Sequence, residues 1–321
     1  MKKRGRKKVG IALSSGSVRG LSHIGVLKIL EKENIPIDYI AATSIGAVIG
    51  ACYASGMSIK EIEETIKTTK LKKLMDFTVP KTGFLAGKKI EKFLGSILDY
   101  KNFDELSIPL SIIVTEINKG EKIILNRGSV ARAARASLSI PGVFSPVIVD
   151  DNVLIDGNLV DPIPIDVVKE MGADIIIAVD LSIDLLEGNL SNLEQGSKFV
   201  KVFERKFIST ELKYLKGFIR KKKLKVPYFI WRMFDTKKIV DYLTGRKIPK
   251  IVDYTIKSLD ILENQLAKER LKSPFVDVVI KPSFQGVRMV EFDKAQHCIA
   301  AGEIATGEMV PKIKRLLNGS R

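Results

Sequence analysis

The 321-residue sequence has few of the residues that build disulfide frameworks and metal sites, with two cysteines and two histidines. Cys52 and Cys298 both lie in segments of helical pattern, where a small buried thiol is the expected role. Their spacing predicts neither a disulfide nor a metal site, and we expect no cofactor. This cysteine usage fits a reducing cytoplasm, where we expect the protein to reside. No apolar stretch approaches the roughly 18 residues of a transmembrane candidate.

Positive charge is what the sequence has in excess, and it is concentrated in two segments. The net charge is +16. Residues 1–8 contribute +6, and the basic segment, residues 191–250, holds seventeen Lys and Arg against five Asp and Glu, a net +12. The rest of the chain is therefore close to neutral. A near-neutral body with two basic segments predicts an anionic partner surface.

The basic segment also contains an apolar helical face and the only tryptophan. That face is formed by Leu212, Leu215, Phe218 and Ile219, and Pro227 should break any continuous helix in KKKLKVPYFIWRMF. Three interpretations are open: a solvated helix that covers a core, an interfacial element on an anionic membrane, and a site for single-stranded nucleic acid. The residues of this segment do not separate lipid from nucleic acid.

The remainder of the chain alternates short apolar runs with helical patterns. Strands are predicted over Val9 to Leu13, up to Thr43, and over Leu110 to Ile117, Lys122 to Asn126, Val153 to Ile155, Ile175 to Leu181 and Val276 to Ile280. A helix is predicted over Leu21 to Glu33, and Ser58 with Glu61 predicts a capping box. Alternating strands and helices predict an α/β layered core with a largely parallel central sheet.

The stretch AATSIGAVIG places Ser44 between an apolar strand and a helix rich in small residues. Serine is a common helix N-cap, so capping alone would explain it. The small residues Ala42 and Gly46 permit the sharp turn of a nucleophile elbow, although the pattern G-x-S-x-G has alanine at its first glycine here. These ten residues leave both interpretations open.

Three further motifs accompany this stretch: ALSSGSVRG, ASLSIPGVF, and LIDGNLVDPIPIDVVKEMGAD, which contains Asp156. In this order and at these separations, the motifs resemble the patatin-like phospholipase family. The resemblance covers roughly residues 8–185 and resumes near FVDVVIKP. It implies a three-layer α/β/α, patatin-like (FabD/lysophospholipase-like) fold, with residues 9–184 as the catalytic core, 185–250 as a basic amphipathic helical insertion, and 251–321 as helices and a strand that complete the core.

The resemblance also implies the roles of particular residues. Ser44 would be the nucleophile and Asp156 the base of a catalytic dyad. The backbone of Gly16 and Ser17, together with Arg19, would form the oxyanion site. The implied activity is hydrolysis of acyl esters in phospholipids or other lipids, with no cofactor or metal, and it favours an anionic membrane over nucleic acid as the partner of the basic segment. We therefore expect peripheral binding at the inner membrane face.

A dyad also accounts for the shortage of histidine. His23 lies in the LSHIGVL helix and is expected to be a core or supporting residue. His297 comes after Ser44 and Asp156, which is the chain order of an α/β-hydrolase triad. However, the surrounding AQHCIAAGEIA is typical of helix packing, so the dyad is preferred to the triad.

Four positions near the site depart from the family pattern. Ser15 and Ser17 replace glycines of the loop G-G-G-x-R-G, Ala42 replaces an elbow glycine, and Asn158 replaces a small residue after Asp-Gly. Serine held at positive φ costs about 1 kcal/mol or more, which would tilt the loop without abolishing the fold. The alternative function is therefore a catalytically weak scaffold that binds anionic lipid or nucleic acid through the basic segment.

Overall fold

The computed structural model describes residues 6–69, 71–76, 83–182, 250–284 and 294–319. The strands are β1 (Val9–Leu13), β2 (Tyr39–Thr43), β3 (Gly83–Leu85), β4 (Leu110–Glu116), β5 (Glu121–Leu125), β6 (Gly142–Phe144), β7 (Val147–Val149), β8 (Asn152–Asp156), β9 (Ile175–Val179) and β10 (Val278–Ile280). The helices are α1 (Ser22–Lys32), α2 (Ile45–Ala54), α3 (Ile59–Thr68), α4 (Leu71–Leu74), α5 (Lys88–Ile97), α6 (Val130–Ser137), α7 (Ile165–Glu170), α8 (Lys250–Arg270) and α9 (Ala295–Leu317). The predicted helical insertion lies outside the described residues except for Lys250, where α8 begins.

Eight of the strands form one mixed sheet. Its order is β10-β9-β1-β2-β4-β8-β7, and β5 also pairs with β4. All neighbours from β10 to β4 are parallel, whereas β5 and β8 run antiparallel to β4, and β7 runs antiparallel to β8. The pairs β4–β5 and β7–β8 are antiparallel because their hairpin connections are too short for a crossover, whereas the chain returns to β4 as β8 only after β5, α6, β6 and β7.

Helices cover both faces of this sheet. All five residues of β1 are buried, and their side chains alternate between the two faces. Val9, Ile11 and Leu13 join a core formed with α1, α2 and α9. Ala12 joins the opposite core, which includes residues of α7 and α8. The three-layer α/β/α fold predicted from the sequence is confirmed.

The register of the sheet brings the ends of two strands together. Strand β2 pairs with the first half of β4 and β8 pairs with its second half, both on the edge of β4 opposite β5. Thr43 at the end of β2 pairs with Ile113, and Asp156 at the end of β8 pairs with the adjacent Val114. Ser44, which follows Thr43, therefore leaves the sheet beside the end of β8. The parallel and antiparallel parts of the sheet meet at this point.

The structure agrees with the sequence-based elements to within a few residues at their ends. Strand β1 is observed as predicted, and Ser58 with Glu61 forms the predicted capping box at the start of α3. Cys52 and Cys298 are buried free thiols. The sequence missed β3, β6 and β7, which have only three residues each.

Among the helices in the described part of the chain, none has both the length and the apolar character needed to cross a membrane.

Candidate active site

Ser44 occupies the sharp turn between β2 and α2. Its backbone has φ 57° and ψ −122°, a conformation that a serine adopts only when the surrounding structure holds it there. The side chain does not cap the helix. Instead, Ser44 Oγ donates a hydrogen bond to Asp156 Oδ2 at 2.7 Å. The geometry therefore favours the elbow over the capping interpretation.

A close backbone approach fixes the elbow. A methyl group at Gly46 would lie 2.5 Å from the carbonyl oxygen of Leu13 and 2.6 Å from that of Ser14. The first turn of α2 can thus pack directly on the end of β1 only because residue 46 has no side chain. Gly20 likewise packs against the side chain of Ile45. The loop that follows β1 therefore lies against the residue next to Ser44.

Asp156 is fixed on both sides. Its backbone N–H donates to the carbonyl oxygen of Ser139 at 3.1 Å. Its Oδ1 accepts a hydrogen bond from the backbone N–H of Asn158 at 3.0 Å, while Oδ2 accepts from Ser44. Asp156 is fully buried and Ser44 is 5% exposed. Both carboxylate oxygens are thus hydrogen-bonded within a water-poor pocket.

Burial controls the protonation of this carboxyl group. Removal from water raises the pKa of Asp156 from 3.8 to about 7, although the hydrogen bonds from the Asn158 amide and the Ser44 hydroxyl act in the opposite direction. The negative charge of Glu263 adds a smaller upward contribution. A carboxyl group with a pKa near neutral pH is suited to accept and return a proton in a reaction at that pH.

Ser137, in the motif ASLSIPGVF, holds the elbow from the other side. Its hydroxyl accepts the backbone N–H of Ser44 at 2.7 Å and donates to the carbonyl oxygen of Ile113 at 2.7 Å. Because Ser139 of the same motif binds the backbone of Asp156, this short stretch positions both members of the Ser44 and Asp156 pair. The sequence motif alone did not indicate this role of Ser137.

The loop after β1 contains the residues predicted for the oxyanion site. Gly16 has φ 154° and Ser17 has φ 51°, so the chain turns sharply before the short 3-10 helix Ser17–Leu21. Ser15 anchors the loop through its backbone N–H, which donates to the carbonyl oxygen of Pro162 at 3.0 Å. Ser17, but not Ser15, occupies the positive-φ conformation in which a serine is strained.

Arg19 is buried and its guanidinium is directed toward the backbone of its own loop. Nε donates to the carbonyl oxygen of Gly16 at 3.4 Å. Its positive charge also acts on Asp260 of α8 and on Cys298 of α9, where it opposes the rise in pKa that burial causes. Arg19 is thus hydrogen-bonded within its own loop, and its charge also interacts with groups on α8 and α9.

The two histidines occupy different environments, and neither hydrogen-bonds to Ser44 or Asp156. His23 is fully buried in α1, where Nε2 lies 2.8 Å from the carbonyl oxygen of Ser14, and burial lowers its pKa to about 4. This is the core position expected from the sequence. His297 is exposed on α9, whereas the Ser44 and Asp156 side chains are buried and directly hydrogen-bonded. The geometry therefore supports a dyad over a triad.

The fold and these motifs agree with one known family. Residues 11–169 match the family model described as patatin-like phospholipase. The chain belongs to the patatin-like phospholipase family, as the sequence motifs predicted.

The chain is also similar in sequence to particular proteins of other organisms. Patatin-like phospholipase domain-containing protein 6 of Homo sapiens is 32% identical over 181 residues, which cover 54% of this chain and 13% of that protein. An uncharacterized NTE family protein of Mycobacterium tuberculosis is 33% identical over 177 residues, which cover 54% of this chain and 49% of that protein. The match thus spans at most about half the length of these relatives.

One solved structure supports the same fold. VipD from Legionella pneumophila superposes with a TM-score of 0.52 over 96% of this chain and 67% of that chain. The two sequences are only 13% identical, so this likeness concerns the fold alone.

Proposed function

We propose that this protein hydrolyses acyl esters of lipids with Ser44 as the nucleophile and Asp156 as the base. The observation that carries the proposal is the 2.7 Å hydrogen bond from Ser44 Oγ to Asp156 Oδ2, made from a serine on a strained turn. Nucleophile and base must lie within hydrogen-bonding distance, and this pair meets that requirement without a third residue. The names of the family and of its relatives support lipid esters as the substrate class.

The reaction would proceed through an acyl-enzyme. Asp156 takes the proton of Ser44 as Oγ bonds to the ester carbonyl carbon, and the negative charge develops on the carbonyl oxygen. The backbone N–H groups of Gly16 and Ser17 would stabilise that oxyanion, with Arg19 holding their loop. The bond to the leaving alkoxide then breaks, and Asp156 returns the proton to it. Water repeats the sequence, with Asp156 as base again, and releases the fatty acid.

Covalent labelling tests this chemistry directly. A fluorophosphonate probe should place a single adduct on the wild-type protein, measured by intact mass. Ser44→Ala should abolish the adduct, and Asp156→Asn should slow its formation sharply while leaving the nucleophile in place. Hydrolysis of a lipid ester that continues unchanged in Ser44→Ala would disprove the proposal.

We further propose that the protein acts at an anionic membrane surface. The net +12 of the basic segment favours anionic headgroups. That segment leads directly into α8, where Ile261 and Leu262 are about half exposed, at 46% and 54%, beside residues that contact the site loops. Apolar side chains next to a strongly basic segment fit an interfacial position on a lipid surface.

Vesicle binding tests this second proposal. The protein should bind vesicles that contain phosphatidylserine more strongly than neutral phosphatidylcholine vesicles, and salt should weaken the difference. Changing Lys221, Lys222 and Lys223 to Glu should remove most of the preference. Equal binding to the two vesicle types at low salt would contradict the proposal.

One observation favours the catalytically weak scaffold as a second candidate. Ser17 is held at φ 51°, where glycine is preferred, so the loop proposed for the oxyanion is strained. If folded wild-type protein forms no fluorophosphonate adduct but still binds anionic vesicles in a salt-sensitive manner, the scaffold is the better description.

A further inference from the structure

Helix α8 places a buried carboxylate beside the candidate site. Glu263 is only 8% exposed. Oε1 accepts a hydrogen bond from the hydroxyl of Ser15 at 2.7 Å, and Oε2 accepts one from the side-chain amide of Asn158 at 3.4 Å. A buried acidic side chain is costly unless it is hydrogen-bonded, and these two contacts provide that compensation.

The two hydrogen bonds connect the two loops that the proposed reaction uses. Ser15 immediately precedes Gly16 in the loop after β1. Asn158 lies in the loop after β8, where its backbone N–H donates to Asp156 Oδ1 at 3.0 Å. One carboxylate therefore spans the loop proposed to bind the oxyanion and the loop that carries the proposed base.

Both partners of Glu263 are departures from the family pattern. Ser15 stands where the pattern has glycine, and Asn158 stands where it has a small residue. Neither glycine nor alanine has a side chain that donates a hydrogen bond. The substitutions at these two positions thus supply the two donors that a buried Glu263 requires.

We propose that Glu263 is a positioning residue that ties the loop at Gly16 to the loop at Asp156 through the side chains of Ser15 and Asn158. This inference rests on the proposed function, since it assigns Glu263 a part in the same reaction. The side chains of Ser15 and Asn158 thus form a polar bridge through Glu263 that keeps the shape of the site.

The charge of Glu263 provides a second, independent readout. Charged side chains on the elements around Asp156 include Glu263, Asp260 and Arg270 of α8, Arg19 of the loop after β1, Glu116 of β4, Arg135 of α6, and Asp161 with its partner Lys122. Of these, Glu263 raises the pKa of Asp156 through its negative charge. Removing that charge should lower the pKa of Asp156, so the base would stay ionised at lower pH.

Two substitutions separate geometry from charge. Glu263→Ala removes the bridge and should slow fluorophosphonate labelling about tenfold at the high-pH plateau, because the loops lose their common anchor. Glu263→Gln can accept the Ser15 hydroxyl through its amide oxygen and, once the Asn158 amide turns over, donate its N–H to the buried Asn158 Oδ1. It should therefore keep the bridge and label within about threefold of wild type. Its labelling rate should, however, begin to fall only at a lower pH than in wild type.

A matched control and a second variant complete the experiment. Glu269→Gln removes the same charge from an exposed position of α8, where Glu269 pairs with Lys272 at the surface, and should change neither rate nor pH profile. Ser15→Ala removes the hydrogen bond from the opposite side. It should reproduce most of the loss seen in Glu263→Ala, and combining the two should cause little further loss. Ser15→Ala also serves if Glu263→Ala does not fold.

The outcomes distinguish this inference from the proposed function. Wild-type protein that labels at Ser44, together with Glu263→Ala and Ser15→Ala proteins that label equally fast, would overturn the inference alone. A Glu263→Gln profile that matches wild type on the pH axis would overturn its electrostatic part. Folded wild-type protein that never labels would overturn the proposed function and the inference together.

Discussion

The elbow and the loop after β1 both depart from a glycine pattern, but they accommodate the departure differently. At the elbow, Ala42 is fully buried, and its methyl group would lie 3.5 Å from a methyl group placed at Gly50 of α2, an ordinary contact distance. The elbow therefore accommodates the methyl group of Ala42 by apolar packing. In the loop, Ser15 is hydrogen-bonded to Glu263, and Ser17 remains at positive φ. The loop therefore accommodates Ser15 through a hydrogen bond and holds Ser17 in a strained conformation.

This difference follows from what each region must do. The elbow holds one side chain, Ser44, in one place, so tight packing against backbone is sufficient. The loop must instead present backbone N–H groups, and its conformation depends on which partners its side chains find. Substitutions at the elbow should therefore act through packing, and substitutions in the loop through hydrogen bonds.

The largest effect is expected at Gly46, where the packing of the elbow leaves no room for a side chain. Gly46→Ala places a methyl group 2.5 Å from the backbone oxygen of Leu13, which cannot move aside cheaply. We expect a loss of about 2 to 3 kcal/mol in the free energy of unfolding from overpacking. Fluorophosphonate labelling should fall at least about 100-fold, because a shift of about 1 Å at the nucleophile is enough for that.

Gly50→Ala in the same helix is the matched control for this experiment. A methyl group there would lie 3.2 Å from a side-chain carbon of Ile40, which can adjust. Urea denaturation and labelling kinetics should show little change. If Gly46→Ala labels as fast as Gly50→Ala, the elbow is not held by packing.

The second largest effect is the pH dependence of labelling. The pKa of Asp156 is raised to about 7, chiefly by burial, and only the ionised carboxylate can accept the proton of Ser44. Lowering the pH through 7 therefore protonates the base and slows labelling, to roughly one-hundredth of the plateau rate at pH 5. The slow residual labelling of Asp156→Asn should lack this dependence. A wild-type rate that is constant from pH 5 to pH 8 would exclude Asp156 as the base.

The elbow and the loop also differ in how far the sequence could predict them. The short apolar run before Ser44 and the small residues after it indicated a strand, a turn and a helix, which are local features. The link from Ser44 to Asp156 came only from family motifs in register, since no periodicity connects residues 112 positions apart. Strands β3, β6 and β7 gave no signal because three residues are too few to show alternation.

Glu263 could not have been found from the sequence. It lies 248 positions from Ser15 and 105 from Asn158, inside an amphipathic helix that begins at the end of the basic segment. An acidic residue in such a helix is ordinarily a solvated one. The contacts of Glu263 with the site loops are visible only in the tertiary structure, in which this face of the helix packs against the site.

A moderate effect is expected from the hydrogen bonds that hold the elbow. Ser137→Ala leaves the backbone N–H of Ser44 and the carbonyl oxygen of Ile113 buried without their partner. We expect a loss of about 1 to 3 kcal/mol in the free energy of unfolding. Labelling should slow about tenfold, since the elbow loses its main polar anchor but keeps its packing.

Ser129→Ala is the control that distinguishes a loss of stability in α6 from a loss of positioning at the elbow. Ser129 caps the start of α6 from an exposed position, so its loss should cost about 1 kcal/mol without touching the elbow. Labelling by this variant should match wild type. A tenfold slower rate in Ser129→Ala as well would attribute the effect of Ser137→Ala to general loosening of α6.

The smallest effect is expected from restoring the elbow glycine. Ala42→Gly removes a buried methyl group from β2 and adds backbone freedom to the unfolded chain, which should cost about 0.5 to 1 kcal/mol in urea denaturation. Labelling should stay within about twofold of wild type, because packing has already absorbed the alanine. An increase of several-fold in the labelling rate would mean that Ala42 distorts the elbow. The elbow and the loop after β1 would then both be strained by the loss of a glycine. The contrast between packing at the elbow and polar contacts in the loop would not hold.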